Sequence, residues 1–315
     1  MEPKNREVDV VIIGSGPAGL SAAIWCSELG LSAVVLETAT AAGGQLNAIY
    51  GPILNYPGLS ADSGAVLFQK FRESFERSKV TIKFGTEVTA IEVSRPSVQT
   101  ADGAKYYSKF VIYAAGVRRR RLVIPGEEPF AGKGVITSGT REKELVSGKT
   151  VAIVGGGDAA LENALLLSPF ARKVYVVHRR NKFTARDEFV DGASGKDNVE
   201  FLFESEVREI VGGDSVESIN VAGGNGALLN LPVDIVLIRI GVVPNTELLR
   251  GLVAVDDAGY VRVDHLGRTS APSLYAVGDA AMPAAPTIAT AVGMGAAAAK
   301  AISLAMENSR KLDQG

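Results

Sequence analysis

Cysteine occurs once in the 315 residues, at Cys26, so no disulfide can close within the chain. A surplus of either charge is also missing. Lys and Arg number 33 against 35 Asp and Glu, a net −2 that gives no case for nucleic acid or an anionic membrane surface as partner. No uninterrupted apolar run approaches the ~20 residues needed to span a bilayer. The opening segment, Met1-Glu2-Pro3-Lys4-Asn5-Arg6-Glu7, is polar, and the apolar run after it is too short for a secretory signal. No metal centre is expected. These absences point to a cytoplasmic protein with neither a membrane nor a nucleic acid as partner.

Glycine, by contrast, is plentiful at 35 residues, and two clusters of it carry most of the information. Val10-Val11-Ile12-Ile13 runs into Gly14-Ser15-Gly16-Pro17-Ala18-Gly19. Val151-Ala152-Ile153-Val154 runs into Gly155-Gly156-Gly157-Asp158-Ala159-Ala160. Each is a β-branched run, a G-x-G-x-x-G/A turn and an alanine- and leucine-rich helical stretch. In such a turn the first glycine permits the tight bend and the second lets the backbone approach a pyrophosphate. The third small residue brings helix close to strand, and the helix N-terminus faces the negative charge. Two such turns in the right context predict two bound dinucleotides. The length and the 46% hydrophobic content suit about two domains.

The residue closing each following strand indicates which dinucleotide belongs where. Ser32-Ala33-Val34-Val35-Leu36 ends at Glu37, whose carboxylate accepts from ribose hydroxyls and repels a 2′-phosphate. Lys173-Val174-Tyr175-Val176-Val177 ends in His178-Arg179-Arg180, and two guanidiniums there suit a 2′-phosphate. The first site reads as FAD and the second as NADP(H). The alternative for Arg179 and Arg180 is a solvated basic strand end.

The plan then repeats. Strand-like segments at Val80–Phe84, Thr89–Val93 and Phe110–Tyr113 end in Ala114-Ala115-Gly116. Others at Val199–Phe203, Ser218–Val221 and Ile235–Ile240 end in Gly241. Further strands are expected over Tyr260–Ala276, and a closing helix over Ile288–Leu304. The fold expected is α/β: two Rossmann-like, three-layer ββα dinucleotide-binding domains. The NADP(H) domain, 117–244, is inserted in an FAD domain made of 1–116 and 245–315.

With these residues in view, the chain resembles the low-molecular-weight thioredoxin reductase group of flavoproteins over nearly its whole length. The matching motifs are the first fingerprint, Gly43-Gly44-Gln45-Leu46, Asn55-Tyr56-Pro57-Gly58 and Ala115-Gly116 with Arg120 and Leu122. Pro125-Gly126-Glu127, the second fingerprint, His178-Arg179-Arg180, Pro244-Asn245-Thr246 and Val277-Gly278-Asp279 complete the set. The resemblance implies that Asp279 hydrogen-bonds the FAD ribityl chain and that Gly43 to Gln45 lie along the flavin. With Leu46, Asn55, Ala115, Gly116 and Gly278 they make up the FAD-binding set, and a homodimer is implied. On the nucleotide side the set is Gly155, Gly157, Asp158, Ala159, His178, Arg179 and Arg180. The family often has arginine where Thr184 stands, with Arg186 nearby.

One departure outweighs these matches. Thioredoxin reductases carry a Cys-x-x-Cys pair shortly before the second fingerprint, where this chain has Ser138 and Arg141. Disulfide exchange requires a thiolate, and neither residue supplies one. Cys26, on the helix after the first fingerprint, suits a small buried hydrophobe better than a replacement sulfur. Bacillithiol disulfide reductases also lack the pair, but their distinctive cysteine lies in the first glycine-rich loop, near Ala18. Thioredoxin-reductase-like ferredoxin/flavodoxin–NADP⁺ reductases lack it too, and their flavin-stacking tyrosine resembles Tyr50, which is otherwise an ordinary loop aromatic. Their C-terminal aromatic extension has no counterpart in Met306–Gly315. Arg118 to Arg121 either steer an acidic partner such as ferredoxin or flavodoxin, or leave Arg120 alone to contact NADPH. No firm catalytic residue is expected. The function expected is NADPH-dependent FAD oxidoreduction, with hydride passing from nicotinamide to flavin and on to an acceptor the sequence does not name. Ferredoxin/flavodoxin–NADP⁺ reduction, NAD(P)H oxidation or a low-turnover redox-sensing flavoprotein are the alternatives.

Overall fold

The computed structural model describes residues 6–224, 226–281 and 284–312. The polar start through Asn5 and the terminal Asp313 to Gly315 lie outside the described residues. The chain divides into two compact units: Met1–Arg118 with Val243–Gly315, and Arg119–Val242.

Unit 1 opens with β1 (Arg6–Ile13), α1 (Pro17–Glu28) and β2 (Ala33–Leu36), followed by α2 (Gly64–Phe75), β3 (Thr81–Lys83), β4 (Val88–Glu92), β5 (Ser97–Thr100) and β6 (Lys105–Tyr113). β1 pairs in parallel with β2 and β6, and β2 with β3, while β4, β5 and the first part of β6 form an antiparallel extension. Val10, Val11 and Ile12 are fully buried, because a parallel strand covered on both faces needs apolar residues at every position. β7 (Val117–Arg119) carries the chain out of the unit.

Unit 2 contains β8 (Val135–Ile136), α3 (Gly139–Glu142), β9 (Thr150–Val154), α4 (Asp158–Leu167), β10 (Lys173–Val177), α5 (Asp187–Ser194) and β11 (Val199–Leu202). After them come β12 (Ser205–Gly212), β13 (Val216–Gly223), β14 (Leu228–Pro232) and β15 (Ile235–Ile238). The order β11-β10-β9-β15-β8 is parallel throughout, and β12-β13-β14 is an antiparallel meander. Both units therefore join a parallel nucleotide-fold sheet to an antiparallel element, as the α/β expectation requires.

The chain returns through β16 (Val242–Pro244) to β17 (Leu274–Ala276), which pairs with the end of β6, and to α6 (Ile288–Leu312). The strands expected over Tyr260–Ala276 contract to β17 and isolated bridges such as Val255 to Val261. α6 runs eight residues past the expected end, since Met306, Glu307, Arg310 and Lys311 are good helix formers with no glycine or proline to stop them. By length and composition it is able to cross a membrane. Its Ala291, Ala298, Ala299, Ala301, Ile302 and Met306 are instead buried in unit 1, in one core cluster with Ala18, Ala22 and Cys26 of α1.

Val123 stands out within unit 2. It has φ 58°, in the left-handed region, and is 83% exposed. Its N–H donates to Glu127 Oε2 at 2.6 Å, and Glu127 is buried. The bend that satisfies this carboxylate thus forces a β-branched residue into a conformation costing about 1–2 kcal/mol. Val123→Gly relieves that strain and loses little burial, offset by about 0.5–1 kcal/mol of added chain entropy. We expect a net gain of about 0.5–1 kcal/mol, read as a higher urea midpoint at unchanged slope. A lower midpoint would show that the strain is illusory.

Candidate functional site

In unit 1, β1, β2, β6 and β17 all end at one cavity of about 760 Å³, within the roughly 300–1,000 Å³ usual for cofactor sites. It lies outside the carboxyl ends of the strands, where open α/β sheets take ligands. Gly14, Gly16, Pro17, Ala18, Glu37, Gly44, Gln45, Leu46, Ala115, Gly116, Gly278 and Asp279 line it. Gly14 bends the chain at φ 100°. Gly19 is absent from the wall and works from behind, since a Cβ there would lie 1.9 Å from the Gly14 carbonyl oxygen. A Cβ on Gly16 would meet no protein atom within 4 Å. It would stand in open space, which leaves room for a ligand to come close to the backbone.

Two carboxylates and one backbone turn test whether a flavin dinucleotide fits. Glu37 Oε2 accepts from the Ser15 N–H at 2.8 Å and the Ser15 hydroxyl at 2.6 Å, and Oε1 accepts from the Ala39 N–H at 2.8 Å. A carboxylate has about four acceptor positions, so one stays open for a ribose hydroxyl, and a second opens if Ser15 turns away. Among the described residues Asp279 meets only Gln45 Nε2, at 3.5 Å, and burial raises its carboxyl above the usual range. An under-bonded carboxyl in the wall suits a polyol hydroxyl that donates to it. Gly43 N–H donates to the Ser15 carbonyl at 2.9 Å, fixing the Gly43–Leu46 turn against the fingerprint loop. The wall fits FAD.

Tyr50 and Asn55 are not in this wall; both are exposed, and Ile49 reaches the cavity instead. Sequence reasoning missed Glu87, Val88, Tyr113, Asn245 and Glu247, which line it too. The Tyr113 hydroxyl donates to the Asn245 carbonyl, Asn245 Nδ2 donates to the Ala115 carbonyl at 2.8 Å, and Arg118 joins Asn245 and Glu247. Burial, reinforced by Glu247 and opposed by Arg118, pushes the Tyr113 phenol up to about 12. Thr287, Ile288 and Ala291 bring the start of α6 to the wall. Thr287 accepts from the Thr290 N–H at 3.1 Å, a capping pattern readable in Pro286-Thr287.

In unit 2, Gly155, Gly157, Asp158 and Ala159 form the turn between β9 and α4. His178 serves it from within. The ring is buried, packs on Phe183 at 5.3 Å between centroids, and faces the Lys182 carbonyl at 3.1 Å. A Cβ on Gly156 would lie 2.2 Å from His178 Nδ1, so the imidazole underpins the loop. Burial, with Arg180 and Arg179 adding to it against the Lys182 hydrogen bond, keeps the ring below the usual histidine range. Arg179 and Arg180 are exposed just past β10. Thr184 holds the Gly156 carbonyl through its N–H at 2.8 Å and its hydroxyl at 3.2 Å. Arg186 donates to Asp158 from its N–H at 2.8 Å and its Nε at 2.9 Å, neutralising the acid at the start of α4. These hydrogen bonds hold the Asp158 carboxyl below its ordinary range.

Ser138 and Arg141 stand three apart across the start of α3, the spacing of a Cys-x-x-Cys pair. Ser138 is buried, and its hydroxyl accepts from the Arg141 N–H at 3.3 Å. Of the four arginines, Arg118 pairs with Glu247 at 2.6 Å, and Arg121 reaches Glu127 and Glu128 at 3.5 Å. Arg120 donates to the Val242 carbonyl at 3.5 Å.

Residues 8–295 match the pyridine nucleotide-disulphide oxidoreductase family. The chain is 32% identical over 297 residues to a thioredoxin reductase of Listeria innocua, covering 94% of this chain and 92% of that one. It is 36% identical over 296 residues to a thioredoxin reductase of Mycolicibacterium smegmatis, covering 92% and 94%. The crystal structure of Lactococcus lactis thioredoxin reductase in its FR conformation superimposes with a TM-score of 0.82 at 32% identity, covering 94% of this chain and 97% of that one. The chain therefore belongs to the pyridine nucleotide-disulphide oxidoreductase family, as a thioredoxin-reductase-like, FAD-dependent oxidoreductase with NADP(H) as its second cofactor.

Proposed function

We propose that this chain oxidises NADPH on behalf of an electron acceptor that it serves without a redox-active dithiol of its own. One observation carries the reading: two complete nucleotide cradles accompany a serine and an arginine at 138 and 141. Flavin, when bound, supplies the capacity to take up two electrons and release them together or singly. The protein's part is to hold and orient. Gly14 and Gly16 admit the pyrophosphate, Glu37 takes the ribose, and Asp279 and Gln45 sit at the ribityl end. In unit 2, His178 and Thr184 stiffen the loop that receives the second dinucleotide, and Arg179 and Arg180 stand ready for its 2′-phosphate. Hydride transfer needs no protein acid or base, so none is assigned.

The test is direct. Purified protein should be yellow, carry one FAD per chain and oxidise NADPH with at least one of ferricyanide, ferredoxin, flavodoxin, a quinone or oxygen. FMN in place of FAD, or no turnover with any acceptor, would sink the proposal. Glu37→Gln removes the charge that binds the ribose while keeping the shape of the side chain. It should raise the FAD dissociation constant by about 10- to 100-fold, the scale of a hydrogen bond to a charged group. An unchanged constant would remove Glu37 from the site.

A further inference from the structure

Arg239 follows β15 at the carboxyl edge of the unit 2 sheet and is only 9% exposed. Its Nη1 donates to the Ile238 carbonyl and its Nη2 to the Thr137 carbonyl, each at 3.0 Å. Both partners are neutral. Among the described residues, no carboxylate comes within ion-pair distance of it. Glu142 faces it across the Thr137–Glu142 turn but is already committed. Its Oε2 accepts from the Thr137 N–H at 2.9 Å, the Thr137 hydroxyl at 3.4 Å and the Ser138 N–H at 2.8 Å, and its Oε1 accepts from Arg141 Nη2 at 3.2 Å. Those four bonds use up a carboxylate's acceptor positions. Glu162 of α4 acts on Arg239 only through space, and Arg119 is a like charge that β7 carries towards it, the next residue's N–H donating to the Gly241 carbonyl at 3.0 Å, two residues past Arg239.

A buried cation without a counter-charge is strongly unfavourable unless something supplies one. A guanidinium has five N–H donors in a fixed fork, matched to carboxylate and phosphate. Two of Arg239's are turned to the carbonyls. The Arg239 N–H also donates to the Val154 carbonyl at 2.7 Å, so the residue adjoins the strand that leads into the second fingerprint. We propose that Arg239, with Arg119, forms an oxyanion-binding site for a phosphate or carboxylate, beside Ser138 in place of the dithiol. This rests on the proposed function for the ligand's source, which is either the dinucleotide's pyrophosphate or an acidic group on the acceptor.

The test uses inorganic phosphate as probe on the FAD-loaded protein, in an Arg179→Gln, Arg180→Gln background that removes the other phosphate-attracting position. Thermal midpoints are compared in phosphate and in chloride at equal ionic strength. At roughly five times its Kd, phosphate should raise the midpoint by about 2–4 °C. Arg239→Gln should abolish the rise, Arg239→Lys should restore part of it, and the exposed Arg119→Gln should at least halve it. The last variant keeps the proposal testable if Arg239→Gln does not fold. No rise in the background protein, or an equal rise in all variants, overturns the site. Repeating the series with saturating NAD⁺ separates the sources: loss of the phosphate response identifies the pyrophosphate, and its persistence identifies the acceptor. Anaerobic flavin bleaching by NADPH in wild-type protein reports on the proposed function independently.

Discussion

Replacing Arg179 and Arg180 together by glutamine weakens NADPH binding by about 2–5 kcal/mol, roughly 30- to 5,000-fold, and leaves NADH nearly untouched. The range takes about 1.5–3 kcal/mol for each hydrogen bond to a charged group and allows for coupling between neighbouring guanidiniums. Both arginines are exposed at the end of β10, so the effect is expected to shrink as salt rises. Anaerobic flavin reduction titrated with each nucleotide provides the measurement. Equal losses for both would mean that the pair serves the pyrophosphate common to them and does not discriminate. The buried His178 should not be grouped with them. Its contacts support the loop, so His178→Ala is expected to harm both nucleotides alike.

NADPH-driven insulin reduction through thioredoxin should stay at background for the wild-type chain, whichever thioredoxin is supplied. The only sulfur outside methionine is Cys26, fully buried on α1. Burial, with the charge of Asp9 adding to it, pushes its thiol up to about 12. At pH 7 the thiolate fraction is then on the order of 10⁻⁵, and the thiolate is the reactive species. Cys26→Ser should accordingly leave ferricyanide reduction by NADPH unchanged. Turnover of thioredoxin that disappears in Cys26→Ser would show that the reactive sulfur had been misplaced. Cysteines restored at 138 and 141 occupy a suitable spacing. They also remove the Arg141 contacts to Thr137 and Glu142, 3.0 and 3.2 Å long, so any recovered disulfide chemistry should be partial.

What was legible in the sequence was what a contiguous motif encodes. The fingerprints, Glu37 and the Gly278-Asp279 turn lie where strand, turn and helix place them, because those relations are local. The meander was seen only in part. Ser218–Val221 marked β13, but no strand was expected at β12 or β14, which carry Glu206, Arg208 and Asn230 among their apolar residues. The strands expected after Tyr260 were β-prone residues held in bends by Asp256 and Asp264, each accepting backbone N–H groups. The cavity's far wall was not readable at all. Nothing local in the sequence joins Tyr113 to Asn245, or Thr137 to Arg239; the pairing of β7 with β16 brings the first two together, and the parallel pairing of β8 with β15 the second two. Tyr50, singled out by its resemblance to a flavin-stacking tyrosine, is exposed outside the cavity wall, which Ile49 lines instead.

The split course of unit 1 has a consequence for how the protein is made. Its first strands and α1 leave the ribosome long before β17 and α6, which complete the sheet beside β6 and cover α1. Unit 2 is one unbroken segment, with every strand of its sheet available as soon as residue 242 has emerged. Synthesis thus runs from one end while completion begins in the middle, domains folding as units when their last element appears. Until the final helix arrives, the alanine face of α1 and the thiol of Cys26 lack their cover. A chain that ends before α6 is accordingly expected to leave Cys26 open to a thiol reagent that the finished protein keeps out.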